Sequence, residues 1–389
     1  MFSTLASARA AHFSVGACFV LALAGCTPAD KAAPDVDATA YTPVEPATSG
    51  QTAPSPAATS TTVAPLPDWA PKTTRDKVAL LMMPGVSNYD DALAKLNAGV
   101  GGIFITSWAD PALLTEPGRD IAALREAVGR PFDVAIDFEG GRVQRFSEVF
   151  GSYLPPQQLA ATHSPEQAEE YAYGIGKQLA ARGITVNFAP VLDIDAAGLA
   201  IVGDRAFSAD PQLAADYGVA FARGMQRAGI EPVFKHYPGH GRASGDTHLN
   251  QATTPHLNDL TGSDLVPFID SIAESPAAGV MVGHLVVPGL GAELKPASIN
   301  DHAYGLLRNY HDFTGVAYTD DLTGMAAITD HYTPEQAVAL AIGAGADQAL
   351  WSTAVDINAV IDFAEHASVD PQRLEAAVAR MVARLDTLD

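Results

Sequence analysis

From Trp69 onward the chain alternates short apolar runs with amphipathic stretches of helical length, and this alternation limits its possible folds more than any other feature. The runs are Val78–Met83, Val100–Thr106, Asp133–Asp137, Thr185–Pro190, Pro232–His236, Gly279–His284, Gly315–Thr319 and Gln348–Trp351. They are mostly apolar on both faces, as strands of a parallel sheet covered by helices should be. Between and after them, Pro165–Arg182, Pro211–Ala228, Pro334–Ile342 and Pro371–Leu388 read as helices that start on proline, whose fixed φ suits a first helical turn. Repetition of this unit to the end of the chain predicts an α/β fold, a single (β/α)8 TIM-type barrel over residues 67–389. A doubly wound open sheet is the alternative that periodicity alone leaves standing.

The segment before Leu66 follows a different pattern. Phe13–Gly25 is a short apolar run behind Arg9 that ends in small residues, which predicts a signal peptide over residues 1–25 rather than a spanning helix. Its end, Leu23-Ala24-Gly25-Cys26, resembles the bacterial lipobox, and that resemblance implies cleavage before Cys26 and lipid on its sulfur. An ordinary cleavage site with a free cysteine is the alternative. Residues 26–66 are then mostly Ala, Pro, Thr, Ser and Asp, too poor in large apolar side chains to offset chain entropy, and predict a disordered linker. The expected location is exported, on the outer face of the bacterial cytoplasmic membrane, held as a lipoprotein by the lipid anchor only. Both cysteines, Cys18 and Cys26, lie in this segment, so the body that follows has no pair for a disulfide.

A formal charge of −22 argues against nucleic acid as a partner, because phosphate binding needs clustered Lys and Arg. No GxGxxG turn follows the first strand and no GxxxxGK[ST] sequence occurs, so nucleotide binding has no support either.

In a barrel the chemistry comes from the C-terminal ends of strands. Those ends are unusually polar here: Asp137-Phe138-Glu139-Gly140-Gly141-Arg142, Asn187 with Asp193, Lys235-His236-Tyr237-Pro238-Gly239-His240-Gly241, His284, and Asp320-Asp321. One charged residue at a strand end is commonly a solvated loop residue, but several on one rim suggest a site. The loop from Lys235 to His248 is rich in Gly and Pro and ends Asp246-Thr247-His248. A carboxylate so close to an imidazole can fix its tautomer and raise its basicity, giving a general acid and base near neutral pH. His236, His240 and His248 also raise a metal reading, but Pro238 and Gly239 break any helix that would align the first two, and no metal or other cofactor is expected. These histidines simply packing within the loop is the remaining alternative.

Lys-His-Tyr-Pro-Gly-His-Gly followed by Gly-Asp-Thr-His resembles the signature of family 3 glycoside hydrolases, in the β-N-acetylhexosaminidase branch. Ile136–Val143, Asn187–Asp193, Gly203–Phe207 and Thr319–Leu322 resemble that branch's other motifs in the same order, so the resemblance covers the chain from about Leu66 to its end. It implies that Asp320 is a nucleophile, that His248 is the acid/base with Asp246 as its partner, and that Asp137, Arg145, Arg205, Lys235 and His236 hold a sugar. Asp321 is the competing nucleophile.

The activity so implied is a retaining exo-β-N-acetylglucosaminidase that removes terminal N-acetylglucosamine (GlcNAc) from peptidoglycan fragments and acts as a monomer. A glucosidase, xylosidase or GlcNAc phosphorylase of the same family is the near alternative, and a non-catalytic glycan-binding lipoprotein the distant one. Phe138, Tyr237 and Gly324 depart from the branch's usual pattern, and Phe138 puts the sugar contacts beside Asp137 in question.

Overall fold

The computed structural model describes residues 66–388; the predicted signal peptide, Cys26 and the linker up to Pro65 lie outside the described residues. Eight parallel strands form the centre: β1 (Met82–Val86), β2 (Gly102–Ile105), β3 (Asp133–Ile136), β4 (Val186–Asn187), β5 (Glu231–Tyr237), β6 (Gly279–Val282), β7 (Ala317–Thr319) and β8 (Ala349–Trp351). Each pairs with its neighbour in chain order up to β7, and β8 pairs with β1. The last seam, β7 to β8, is joined by a parallel bridge between Tyr318 and Gln348, with Thr319 N–H donating to Gln348 O at 3.0 Å. The sheet is therefore a (β/α)8 barrel, as the alternation predicts. Its strand residues are buried on both faces, which explains their continuous apolar character.

The first unit corrects the sequence reading. Val78–Leu80 is the end of a helix, Thr74–Leu80, and the strand begins at Met82. Thr73 accepts the Asp76 N–H and Asp76 accepts the Thr73 N–H, a reciprocal cap that starts this helix. The apolar run joined the buried side of the helix to the strand, while Pro84 and Gly85 disguised the strand itself. Gly85 is required there, since a Cβ would lie 2.7 Å from Thr106 Cγ2 and 2.8 Å from Ser352 O.

Charged side chains close the end of the barrel where the strands begin. Arg384, on the C-terminal helix Pro371–Leu385, donates to Asp133 at 2.7 Å and also pairs with Glu231. Arg380 on the same helix binds Asp347 at 2.8 Å, and Arg308 binds the other oxygen of Asp347. Burial, with Asp133 close by, raises the Glu231 carboxyl above its ordinary pKa although Arg384 opposes the shift. The N-terminal helix is tied to the same region, Lys77 to Glu375 and Arg75 to Asp362. Among the described residues no helix is long and apolar enough to cross a membrane.

Candidate active site

At the opposite end, β3 and β5 carry a buried lattice of charges. Asp137 and Glu139 follow β3, and Lys235 lies in β5. The Lys235 ammonium donates to Asp137 Oδ1 at 2.9 Å and to Glu139 Oε1 at 2.6 Å. Arg205 grips Glu139 with two parallel bonds of 2.8 Å, the geometry that suits a planar guanidinium. Arg145 approaches Asp137 at 3.4 Å. Burial alone would raise the Glu139 pKa, but Arg205 and Lys235 outweigh it and hold the carboxyl at about 2. Burial would likewise raise Asp137, yet Lys235 and Arg145 keep it below the ordinary carboxylate range. Asp137, Glu139, Lys235 and Arg205 are thus charged at neutral pH and fixed in place against one another.

His236 belongs to a second buried unit. Its Nδ1 lies 2.6 Å from Asp193 Oδ2, while the backbone N–H groups of His236 and His240 donate to Asp193 Oδ1 at 3.2 and 2.7 Å. Burial opposes ionisation of Asp193, but His236 and these donors hold its pKa at about 2. Sequence reasoning gave Glu139 and Asp193 no role. Their letters stood in the quoted motifs, but only the fold shows which partners they hold.

At the end of β7 two adjacent carboxylates have different environments. Asp321 Oδ1 accepts the N–H groups of Thr323, Gly324 and Ser352 at 3.0–3.1 Å, and its other oxygen accepts the Ser352 hydroxyl. Gly324 fits this turn because a Cβ would lie 2.3 Å from Asp321 Oδ2. Asp320 accepts only the Asp321 N–H, at 2.9 Å. Burial would raise its pKa, but nearby His236 and His284 keep it lowered, so it is an anion at neutral pH. His284 is held at both ring nitrogens: its Nε2–H donates to Asp321 O at 2.9 Å and its Nδ1 lies 2.7 Å from the Ser298 hydroxyl. Burial depresses its pKa, while Asp320 and Asp321 oppose that shift.

The third component is the loop after β5. Gly239 has φ +121° and lies so close to Asp264 that a Cβ would come within 2.5 Å of that side chain; at Gly241 the clash would be 1.8 Å from Ile194 O. These contacts pin the start of the loop, while its end is more open. There Asp246 Oδ1 accepts both the His248 N–H at 2.9 Å and the ring Nδ1–H at 2.8 Å. Burial raises the Asp246 pKa, but the two His248 donors outweigh it and keep the carboxyl ionised. Ala327 N–H donates to Thr247 O at 3.1 Å, so the segment after the β7 carboxylates holds this loop over the barrel.

Asp320, His248, Asp137 and Arg145 open into one cavity of about 130 Å³, floored by Met281 and Leu350 and flanked by Met325. Phe138 does not face it. Its ring is fully buried and packs edge-on against Phe150 and Tyr153, so the departure at this position is absorbed by packing. Tyr237 is also buried, with its ring against Phe268. Among the described residues no three His, Cys, Asp or Glu side chains converge as a metal-binding group.

The chain matches the model of the glycosyl hydrolase family 3 N-terminal domain over residues 73–385. It is a family 3 glycoside hydrolase. The β-hexosaminidase LpqI of Mycobacterium tuberculosis is 42% identical over 323 residues, which cover 81% of this chain and 82% of that protein. A family 3 glycosyl hydrolase structure from Mycobacterium smegmatis superposes with TM-score 0.77 at 39% identity, covering 81% of this chain and 98% of that one. A family 3 β-N-acetylglucosaminidase from Paenibacillus superposes with TM-score 0.75 at 32% identity, over 80% of this chain and 62% of that one. The family 3 assignment, with relatives in its β-hexosaminidase branch, agrees with the resemblance read from the motifs.

Proposed function

We propose that this family 3 enzyme is a retaining exo-β-N-acetylglucosaminidase in which Asp320 is the nucleophile and His248 the acid/base. The observation that carries the reading is one shared cavity: an anionic Asp320 with few hydrogen bonds and the Asp246–His248 pair both open into it. Asp321 is a poor nucleophile by comparison, since its oxygens are taken by the turn.

Asp137, Arg145, Arg205, Lys235 and His236 hold the terminal sugar from the β3–β5 side. Asp320 attacks its anomeric carbon while the protonated His248 gives its Nε2 proton to the leaving oxygen, and a glycosyl ester forms on Asp320. Neutral His248 then takes a proton from water, whose oxygen attacks the same carbon and frees Asp320. Asp246 holds Nδ1–H throughout and so keeps Nε2 directed at the substrate.

The relatives' β-hexosaminidase and β-N-acetylglucosaminidase names support GlcNAc as the sugar. The Leu23–Cys26 sequence supports a lipid-anchored, exported protein, which would meet peptidoglycan fragments outside the cytoplasm; we take the enzyme to act as a monomer. The test is a slow fluorinated GlcNAc donor followed by peptide mapping: mass added at Asp320 supports the mechanism, and mass at Asp321 or none overturns it. In excess phosphate the expected product is still free GlcNAc; GlcNAc 1-phosphate as the main product would make the enzyme a phosphorylase. Radiolabelled fatty acid should enter the exported protein at Cys26 and not in the Cys26→Ser variant.

A further inference from the structure

Trp108 is the one large aromatic side chain at the active-site mouth that is left in solvent, 60% exposed. It stands on the turn after β2 and lines two cavities at once. One is the catalytic cavity with Asp320 and His248; the other, of about 300 Å³, lies beside it, between the ends of β8 and β1 and the turn after β2. Ser352, at the end of β8, is also common to both, so the two spaces adjoin. The turn is anchored: Ala109 N–H donates to Thr106 O at 3.2 Å, and Asp110 N–H donates to Ser87 O at 2.7 Å across to the end of β1. The indole is therefore carried on a fixed wall.

We propose that Trp108 and this second cavity form a leaving-group subsite that takes one pyranose ring. The inference rests on the catalytic roles proposed above. With the terminal sugar held from the β3–β5 side and attacked from β7, a leaving group protonated by His248 can extend across the Trp108–Ser352 wall that the two cavities share, into the space between β8, β1 and the turn after β2. Its volume is at the lower end of small-ligand sites, roughly 300–1,000 Å³, which suits one ring rather than a long chain. An indole face offers a large rigid surface with a negative quadrupole, complementary to the weakly positive C–H edges of a pyranose. Gly85, where any side chain would strike Thr106 and Ser352, keeps the floor between the two walls open.

The test compares two substrates that share the terminal GlcNAc: the β-1,4-linked GlcNAc disaccharide, which has a second ring, and methyl β-N-acetylglucosaminide, which has none. Trp108→Ala should lower kcat/KM for the disaccharide by about tenfold more than for the methyl glycoside. Trp108→Phe should recover most of the loss, and an unchanged melting temperature checks the fold. Equal losses on both substrates, or none on either, overturn the proposal. A binding readout separates this from the catalytic reading. Trp108 is the exposed indole among the three tryptophans, so the disaccharide should shift the fluorescence of Asp320→Asn saturably and further than free GlcNAc does. A wild type that cleaves neither substrate refutes the hydrolase reading, and the fluorescence titration still decides the subsite: no shift with the disaccharide sinks it.

Discussion

Glu139 is the point at which the buried charge lattice is most exposed to a single change. It is fully enclosed and balances two cations, Arg205 through two bonds of 2.8 Å and Lys235 through one of 2.6 Å. Glu139→Gln keeps the volume and removes the charge, leaving Arg205 buried without its carboxylate and Lys235 with Asp137 alone. Breaking a buried pair from one side costs about 3–5 kcal/mol, because the surviving charge keeps its desolvation penalty. At about 2.1 cal/mol/K of unfolding entropy per residue, a body of this size should lose roughly 4–7 °C in melting temperature. Lys235 should then be drawn wholly onto Asp137, and both should release the sugar more readily, raising KM about tenfold with a smaller effect on kcat. Calorimetry and kinetics on a chromogenic GlcNAc glycoside measure the two effects. Adding Arg205→Met removes the orphaned charge, so the double variant should melt above Glu139→Gln. If Glu139→Gln melts within about 1 °C of wild type, or the second substitution simply adds its own loss, the charge-balance argument is wrong.

The two carboxylates after β7 should separate cleanly: Asp320→Asn abolishes the covalent adduct with little change in melting temperature, whereas Asp321→Asn lowers the melting temperature because its oxygens hold the turn. An adduct persisting in Asp320→Asn would refute the assignment. Asp246→Asn should lower kcat by about 10²-fold or more, since the imidazolium loses the anion that holds its Nδ1–H; a kcat within about twofold of wild type would make the pair structural only. Acid should destabilise the site in a defined window. Glu139 and Asp193 have folded pKa values of about 2, below their unfolded values, so their contribution is complete above about pH 4.5 and is lost as the pH falls towards 2. Glu139→Gln should flatten that part of the stability curve, and a curve parallel to wild type would refute the attribution.

Most of the barrel was legible because strands covered on both faces are written as uninterrupted apolar runs, as at Gly279–Val282. The first unit was not, because Val78–Leu80 and Met82–Val86 are contiguous apolar segments with different periods, too short to distinguish. At the site, adjacency carried the information: Asp246 and His248 lie two apart, and their bond was anticipated. Arg205 and Glu139 are 66 residues apart, and Lys235 and Asp137 are 98 apart, so their pairing depends on strand order and register. Phe138 shows the converse error. A departure beside a functional residue drew attention to sugar contacts, whereas successive strand-end residues face opposite ways and this ring points into the packing behind the site.

The pairing of β1 with β8, and of the first helix with the last through Lys77 and Glu375, bears on how the molecule comes into being. During synthesis β1 can pair with β2 early, yet its other edge has no neighbour until β8 arrives, and Arg384 then plugs the charged floor. A growing chain is thus an open ribbon with unpaired margins until β8 has been made. Once the ring has shut, however, no point along it is privileged as the beginning: a gene rewired to join the two ends and to start at a surface turn elsewhere should still specify the same circle.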